Sequence, residues 1–404
     1  MKTIAVIGTF DTKAQEYGFV MDRMREHGVR PLAIDVGTHN AAPSAVDITS
    51  AEVAALAGTQ IERLHGLSRQ DAFSAMLKGA QQCVKELHGR GEIQGIFGMG
   101  GSGGTTLASA AMRTLPLGVP KLLVSTLAGT ARMADYVGGT DIIVMGSIVD
   151  ISGLNSITKM IFSRAAGVIA GAVNGEYREP SGHRLRIAAS MYGVTTPGVT
   201  FAKRYLESRG YEVITFHATG SGGRAMEQLI REGFFDGVLD MTLPEIHAHV
   251  LGVPSSTAGP ERCAGAARKD IPQVVCPGGM DMCSTTDFTG FEDRRVYCHN
   301  TTPSHFRPNA RDMERSGVYL AQQLNKSHAD CAVYLPCGGL SLVDVPGGAT
   351  YDPEADESLF EAIKSNLDRR VELHESPRNI NDESFALEMA QRLDEMMTRR
   401  CASE

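Results

Sequence analysis

Short apolar runs alternate with longer stretches of helical period along almost the whole chain. Ile4 to Ile7 is all apolar, has the length of a buried strand, and breaks off at Gly8-Thr9-Phe10-Asp11-Thr12-Lys13. Ala14, Tyr17, Met21 and Met24 then repeat at helical spacing up to Gly28, and Pro31 to Ile34 reads as the next strand. A strand, a helix and a second strand joined this way predict a right-handed parallel crossover. Asp71 to Leu87 is a long amphipathic helix, and Ile96 to Met99, Leu122 to Val124 and Ile142 to Met145 are further strands. Asn155 to Val173 reads as an Ala- and Gly-rich helix, and the polar segment Asn174 to Arg184 as a linker.

After the linker the alternation starts again. Strands are predicted at Leu185–Ala189, Glu212–Phe216, Val238–Met241, Gln273–Cys276, Arg295–Cys298 and Cys331–Leu335. Helices follow at Val199–Leu206, Asn309–Asn325, Ala355–Leu367 and Asp382–Arg400. Gln94-Gly95-Ile96-Phe97-Gly98-Met99 parallels Asp236-Gly237-Val238-Leu239-Asp240-Met241. The pattern predicts an α/β protein of two Rossmann-like, doubly wound domains with mainly parallel sheets, related by a loose internal repeat. Residues 1–180 form the first and 181–404 the second. Ligands in such folds bind beyond the carboxyl ends of the strands.

Two glycine-dense turns stand at such ends. Gly100, Gly101, Ser102, Gly103, Gly104 and Thr105 follow the third strand, and Gly220, Ser221, Gly222 and Arg224 open a helix in the second half. A helix that starts at a glycine turn presents unpaired N–H groups and a positive dipole end, which suits phosphate or carboxylate. The first turn lacks the lysine of a P-loop; close helix–strand packing is the alternative use of its glycines. Arg224 adds a guanidinium to the second turn, with an ion pair to Glu227 as its alternative. Asp11 and Lys13 sit at the first strand end, where Lys13 is a candidate for an anion and Asp11 for a ligand or a helix cap. Asp35 occupies the ribose-binding position of dinucleotide folds, but no GxGxxG precedes it.

In the second half Asp240, Glu245, His247, His249, Asp281, His299 and Arg307 form a polar group near predicted strand ends. Asp240, Glu245, His247 and His299 are the catalytic candidates, one His working with a carboxylate as acid and base. His247 and His249 share a face only on a strand, where a divalent metal is the competing reading; no metal is assigned. Arg262 is a candidate anion holder or a surface residue.

Composition narrows the classes. The 404 residues carry a formal charge of −8 and no basic tract, which argues against nucleic acid as partner. Eight scattered cysteines without a CxxC fit free thiols in a reducing compartment. The N-terminus enters a strand at once and no unbroken apolar run of about 18 residues occurs, so no membrane association and a cytoplasmic location are expected.

Five motifs carry a resemblance. They are Val6 to Lys13, Asp141 to Asn155, Ala258-Gly259-Pro260-Glu261-Arg262, Gly278-Gly279-Met280-Asp281-Met282 and Pro336-Cys337-Gly338-Gly339-Leu340-Ser341. In this order they resemble the bacterial, fungal and plant family that includes the tomato mosaic virus resistance protein. The resemblance implies two Rossmann-like subdomains, a homodimer and binding of ATP; magnesium is the candidate ion to go with the nucleotide. The chain departs from the family pattern at Cys283 to Asp287 and at Glu245 to His249. The reading that follows is a cytoplasmic ATP-binding protein with phosphate on the glycine loops. The alternatives are a metabolic enzyme, of hydrolase or lyase type, acting on a small carboxylate or phosphorylated substrate between the domains, and a regulatory scaffold.

Overall fold

The computed structural model describes residues 1–38, 46–175, 184–298 and 304–403. The chain forms two compact units, Met1–Pro180 and Ser181–Glu404. The linker segment falls largely outside the described residues.

Unit 1 runs β1 (Thr3–Gly8), α1 (Phe10–Glu26), β2 (Arg30–Asp35), α2 (Ser50–Leu56), α3 (Ile61–Leu64), α4 (Arg69–Gly89), β3 (Gly95–Gly100), α5 (Ser102–Met112), β4 (Lys121–Ser125), α6 (Met133–Val137), β5 (Ile143–Gly146) and α7 (Ser156–Asn174). The strands form one parallel sheet in the order β2-β1-β3-β4-β5. Strands covered on both faces are near-continuous apolar runs. One face packs Ile7, Ile96 and Leu123 against Met76, Ala80 and Val84 of α4 and Ala108 and Ala111 of α5. The other packs Val6, Phe97 and Val124 against Tyr17 and Met24 of α1 and Phe162, Ala166 and Ile169 of α7. Gly8 makes room for Tyr17: a Cβ there would collide with the ring. The Tyr17 hydroxyl in turn donates to the Met99 carbonyl (2.7 Å) and ties α1 to β3. By length and composition α7 is apolar enough to cross a membrane, yet its Phe162, Ala165 and Ile169 are fully buried in this core.

Unit 2 runs β6 (Arg186–Met191), α8 (Thr196–Ser208), β7 (Glu212–His217), α9 (Ser221–Glu232), β8 (Gly237–Thr242), α10 (Pro244–Val250), α11 (Gly265–Lys269), β9 (Gln273–Gly278), β10 (Cys283–Ser284), β11 (Arg295–Tyr297), β12 (His305–Arg307), α12 (Ala310–Leu324), β13 (Cys331–Pro336), α13 (Pro353–Asn366), β14 (Glu372–Ser376) and α14 (Glu383–Ser403). Its main sheet is parallel, ordered β14-β13-β9-β8-β6-β7. The helices α8 and α14 cover one face with Val199, Leu206, Phe385 and Leu393. On the other face α12 and α13 contribute Leu320, Leu324, Leu359 and Ile363. The expected strand at Arg295 exists, but it belongs to a separate antiparallel sheet, β10-β12-β11. The polar edge strand β14 has no apolar run to announce it, since only one end of Glu372–Ser376 is buried.

Candidate functional site

In unit 1 the strand order reverses between β1 and β3, which is where open α/β sheets take ligands. The glycine loop sits at this point. Gly101 is the N-cap of α5, with no side chain capping the helix. The first intrahelical bond there is Thr105 N–H to the Gly101 carbonyl (2.8 Å). The amides of Ser102, Gly103 and Gly104 precede it and belong to the orphan donors of a helix start. Beside them lies a cleft of about 550 Å³. Thr9, Asp11 and Thr12 line it from the β1 end, Gly103, Gly104 and Leu107 from α5, and His65, Arg69 and Phe73 from α3–α4.

The glycines of this loop divide by cause. A Cβ on Gly100 would stand 2.7 Å from Gly104 Cα, and one on Gly104 would stand 2.9 Å from the Met99 carbonyl oxygen. Both positions are glycine because helix and strand approach closely. Around Gly101 and Gly103 the nearest atoms would be 3.8 Å away, and Gly101 has φ −74°. Neither packing nor backbone conformation demands glycine there. Thr105 differs from expectation: it is fully buried, and its hydroxyl pairs with Ser125 Oγ (2.7 Å) to pin α5 on β4. Ser102 is exposed.

Two other candidates in this unit are occupied. The Lys13 ammonium donates to the Ile151 carbonyl. Asp35 is buried and accepts from the amides of Phe10 (3.0 Å) and Gly37 (2.9 Å), so its carboxylate serves the backbone rather than a ribose. Burial raises its pKa from the ordinary value.

The second glycine loop has the same form and a different content. Gly220 caps α9 with φ +88°. Glu245 Oε1 accepts from the amides of Gly220 (2.5 Å) and Gly223 (3.1 Å). A Cβ on Gly223 would run into that carboxylate, and one on Gly222 would run into the His217 carbonyl. Arg224 donates to the Thr257 carbonyl, Ser221 is exposed, and Glu227 turns inward instead of pairing with Arg224. The cradle is thus filled from within.

Asp240 and Glu245 do come together, but around Arg262 rather than a histidine. The Arg262 guanidinium is fully buried. It donates Nε to Glu245 (2.7 Å) and both terminal nitrogens to Asp240, Nη2 at 2.8 Å. Glu227 joins through Nη1 at 3.4 Å and accepts from the amides of Cys263 (2.6 Å) and Gly265 (2.9 Å). Burial pushes Glu227 up to about 7, with Arg262 opposing and Asp240 adding. Such a closed cluster has no face for a substrate.

His247 is corrected too. It lies on α10, not a strand, so His249 points elsewhere and meets Tyr319 at a tilt of 48° with ring centroids 5.0 Å apart. His247 is fully buried, with Nδ1 bonded to Ser316 Oγ (2.7 Å) and Nε2 to the Met280 carbonyl (2.5 Å). Burial lowers its pKa to about 4, so the ring is neutral. His299 lies outside the described residues. Among those residues no group of three or more His, Cys, Asp or Glu is placed to hold a metal ion. Asp281 and Arg307 belong to a different cluster again, with Asp344 and Asp356. Sequence reasoning missed the cleft wall at His65 and Arg69, because both stand in an exposed polar stretch; only Phe73 carried an apolar signal, as part of the α4 stripe.

Comparison with known proteins places the whole chain. Residues 2–178 match the profile described as "Uncharacterised protein family (UPF0261) N-terminal domain", and residues 184–397 match the C-terminal domain of the same family. The chain belongs to the UPF0261 family. A UPF0261 protein of Clostridium tetani is 42% identical over 98% of this chain and 100% of its own length. One from Rhizobium meliloti is 37% identical over 96% of this chain and 97% of its own. The tomato (Solanum lycopersicum) ToMV resistance protein Tm-1(GCR237) is 33% identical over 94% of this chain, which spans 54% of the plant protein. A solved structure titled as a co-structure of S. aureus MnaA with UDP aligns over 91% of this chain and 93% of its own, at 10% identity and a TM-score of 0.23. That likeness is too weak to carry an argument.

Proposed function

We propose that this UPF0261 protein binds a nucleotide, ATP in the first instance, with its phosphates on the amides of Ser102, Gly103 and Gly104. One observation carries the reading: of two similar glycine cradles, the one at the β1/β3 reversal opens on a cleft, while the other is closed by Glu245. Gly103 supports it, because a side chain there would stand at the cleft wall with no nearer neighbour than Phe73 Cε2, 3.8 Å from its Cβ. Arg69 and His65 bring donors suited to phosphate oxygens, and Phe73, Met76 and Leu107 an apolar wall suited to a base. Asp11, Thr9 and Thr12 supply oxygen atoms of the kind magnesium takes. No lysine of P-loop type stands in the loop, and no hydrolytic step is assigned. The cytoplasm is the proposed location. A homodimer is the proposed assembly, and the exposed Ile157, Met160 and Val168 on the outer side of α7 offer a surface for it. Light scattering of Met160→Glu tests that arrangement: a mass unchanged from a dimeric wild type excludes this surface.

Calorimetric titration with ATP, with and without magnesium, tests the binding. Gly103→Val is expected to weaken ATP at least tenfold, about 1.4 kcal/mol, with melting temperature in the absence of ligand little changed. Arg224→Ala is expected to leave affinity as it was. The reverse pattern moves the site to unit 2, and no heat with wild type at millimolar ATP removes the proposal.

A further inference from the structure

In unit 2 the strand order reverses at β6, which has β7 on one side and β8 on the other. The carboxyl end of β6 is therefore where a fold of this kind takes a ligand. Tyr192 directly follows β6 and is half-buried. Its hydroxyl lies 2.7 Å from His305 Nε2 of β12 and 3.1 Å from Ser284 Oγ of β10. On the far side of the imidazole, His305 Nδ1 lies 2.8 Å from Ser304 Oγ. Ser304, His305, Tyr192 and Ser284 thus form one continuous chain of hydrogen bonds. His305 in its middle is buried, whereas Ser304 and Ser284 at its ends are half-buried. A second imidazole, His217 at the end of β7, is exposed and has its ring 5.2 Å from that of Tyr192.

Every member of this chain can donate or accept. In one sense Ser304 donates to Nδ1, Nε2–H donates to the Tyr192 oxygen, and Tyr192 donates to Ser284. In the other sense Ser284 donates to Tyr192, Tyr192 to Nε2, and Nδ1–H to Ser304. Tyr17 is the contrast: its hydroxyl meets the main chain of Ile7 and Met99, where donor and acceptor are fixed, so that tie holds structure without moving a proton. Among the described residues no charged side chain is bonded to the hydroxyls of Tyr192, Ser284 or Ser304. Such a set suits neutral oxygens, a carbonyl and a hydroxyl, better than phosphate or carboxylate. A ligand carbonyl that replaces Ser284 as acceptor takes the Tyr192 hydrogen bond and leaves Ser284 to bond a neighbouring hydroxyl, which describes a small hydroxyketone.

We infer that Ser304, His305 and Tyr192 form a proton relay, and that with His217 as base it enolises a small hydroxyketone at the carboxyl end of β6. The α C–H bond of the ketone breaks, its electron pair becomes the C=C bond, and the carbon proton passes to His217, which releases it to water. The carbonyl oxygen takes the Tyr192 proton as general acid catalysis requires. Nε2–H then moves to the phenol oxygen, the Ser304 hydroxyl proton moves to Nδ1, and water replaces it. One proton enters from solvent and one returns, and His305 changes tautomer while the relay stays neutral. Tyr192 is never left ionised, in keeping with the burial that raises its pKa above the ordinary value.

Two measurements on the full chain test this. Nitrogen-15 spectra report the His305 tautomer, which its hydrogen-bond partners set. Both ring nitrogens are expected between the shifts of a protonated and a bare nitrogen, because both tautomers are populated. Ser304→Ala leaves Nδ1 without that partner and should shift the ring to the Nε2–H tautomer. A single tautomer in the wild type overturns the relay. Proton spectra in heavy water follow exchange of the α protons of dihydroxyacetone, the probe ketone. The wild type is expected to exchange them at least tenfold faster than buffer of the same pH, and Tyr192→Phe and His217→Gln each to lose at least tenfold of that rate. A wild type no faster than buffer overturns the inference. So does a folded Tyr192→Phe or His217→Gln that exchanges as fast as the wild type; should Tyr192→Phe fail to fold, Ser304→Ala carries the same comparison.

Discussion

Arg262 shows how much a single residue can be misjudged without its surroundings. Its neighbours Gly259, Pro260 and Glu261 suggest a polar surface turn, yet the guanidinium is enclosed by Asp240, Glu245 and Glu227. Removing one partner from a buried ion cluster leaves uncompensated charge, typically at about 3–5 kcal/mol. Arg262→Ala should lose at least that much in urea unfolding. Arg262→Lys should recover little, because one ammonium cannot reproduce a planar fork that reaches Asp240 and Glu245 together. A small loss in either variant would mean the cluster contributes little to folding.

At the scale of elements, α5 and α9 begin alike and end up with opposite uses. The difference comes from α10, whose Glu245 reaches the start of α9. Two substitutions separate the roles of the glycines. Gly222→Ala forces a Cβ against the His217 carbonyl, and overpacking of this kind costs about 1–3 kcal/mol or more. Gly103→Ala adds only an ordinary contact, 3.8 Å to Phe73 Cε2, in a helical position, where alanine is favoured over glycine by up to about 1 kcal/mol. Thermal melts should therefore show Gly222→Ala well below wild type and Gly103→Ala at or slightly above it. Equal losses in both would contradict the division of the glycines by cause.

For the molecule as a whole, buried groups set opposite limits on pH stability, His247 on the acid side and Glu227, Asp281 and Asp356 on the alkaline side. His247 is held at about 4, below its ordinary 6.5, so its contribution is present above 6.5 and lost as pH falls through 4. Glu227 is held at about 7, above its ordinary 4.5, so its contribution is present below 4.5 and lost as pH rises through 7. Each can change stability by at most about 1.4 kcal/mol per pH unit between its two values. Urea midpoints should decline from about pH 6 to pH 7.5. Glu227→Gln should make that decline shallower but not remove it, because Asp281, raised to about 6, and Asp356, raised to about 8, titrate over the same range; an unchanged slope would show that Glu227 contributes nothing to it.

The order of strands and helices was legible in the sequence, because each element buries its own apolar run and that periodicity is local. The parallel architecture follows from it, as does the presence of two glycine turns at strand ends. Where the signal is not local, reading stopped. Polar β14 pairs as an edge strand without an apolar run, and the strand at Arg295 joins a different sheet because it pairs antiparallel with His305–Arg307, itself too short to show a pattern. The chemistry was decided almost wholly by tertiary contacts. Whether a glycine cradle is open depends on a carboxylate 25 residues away in sequence. Charge and solvation act through space, and burial, which sets their strength, exists only once the chain has folded.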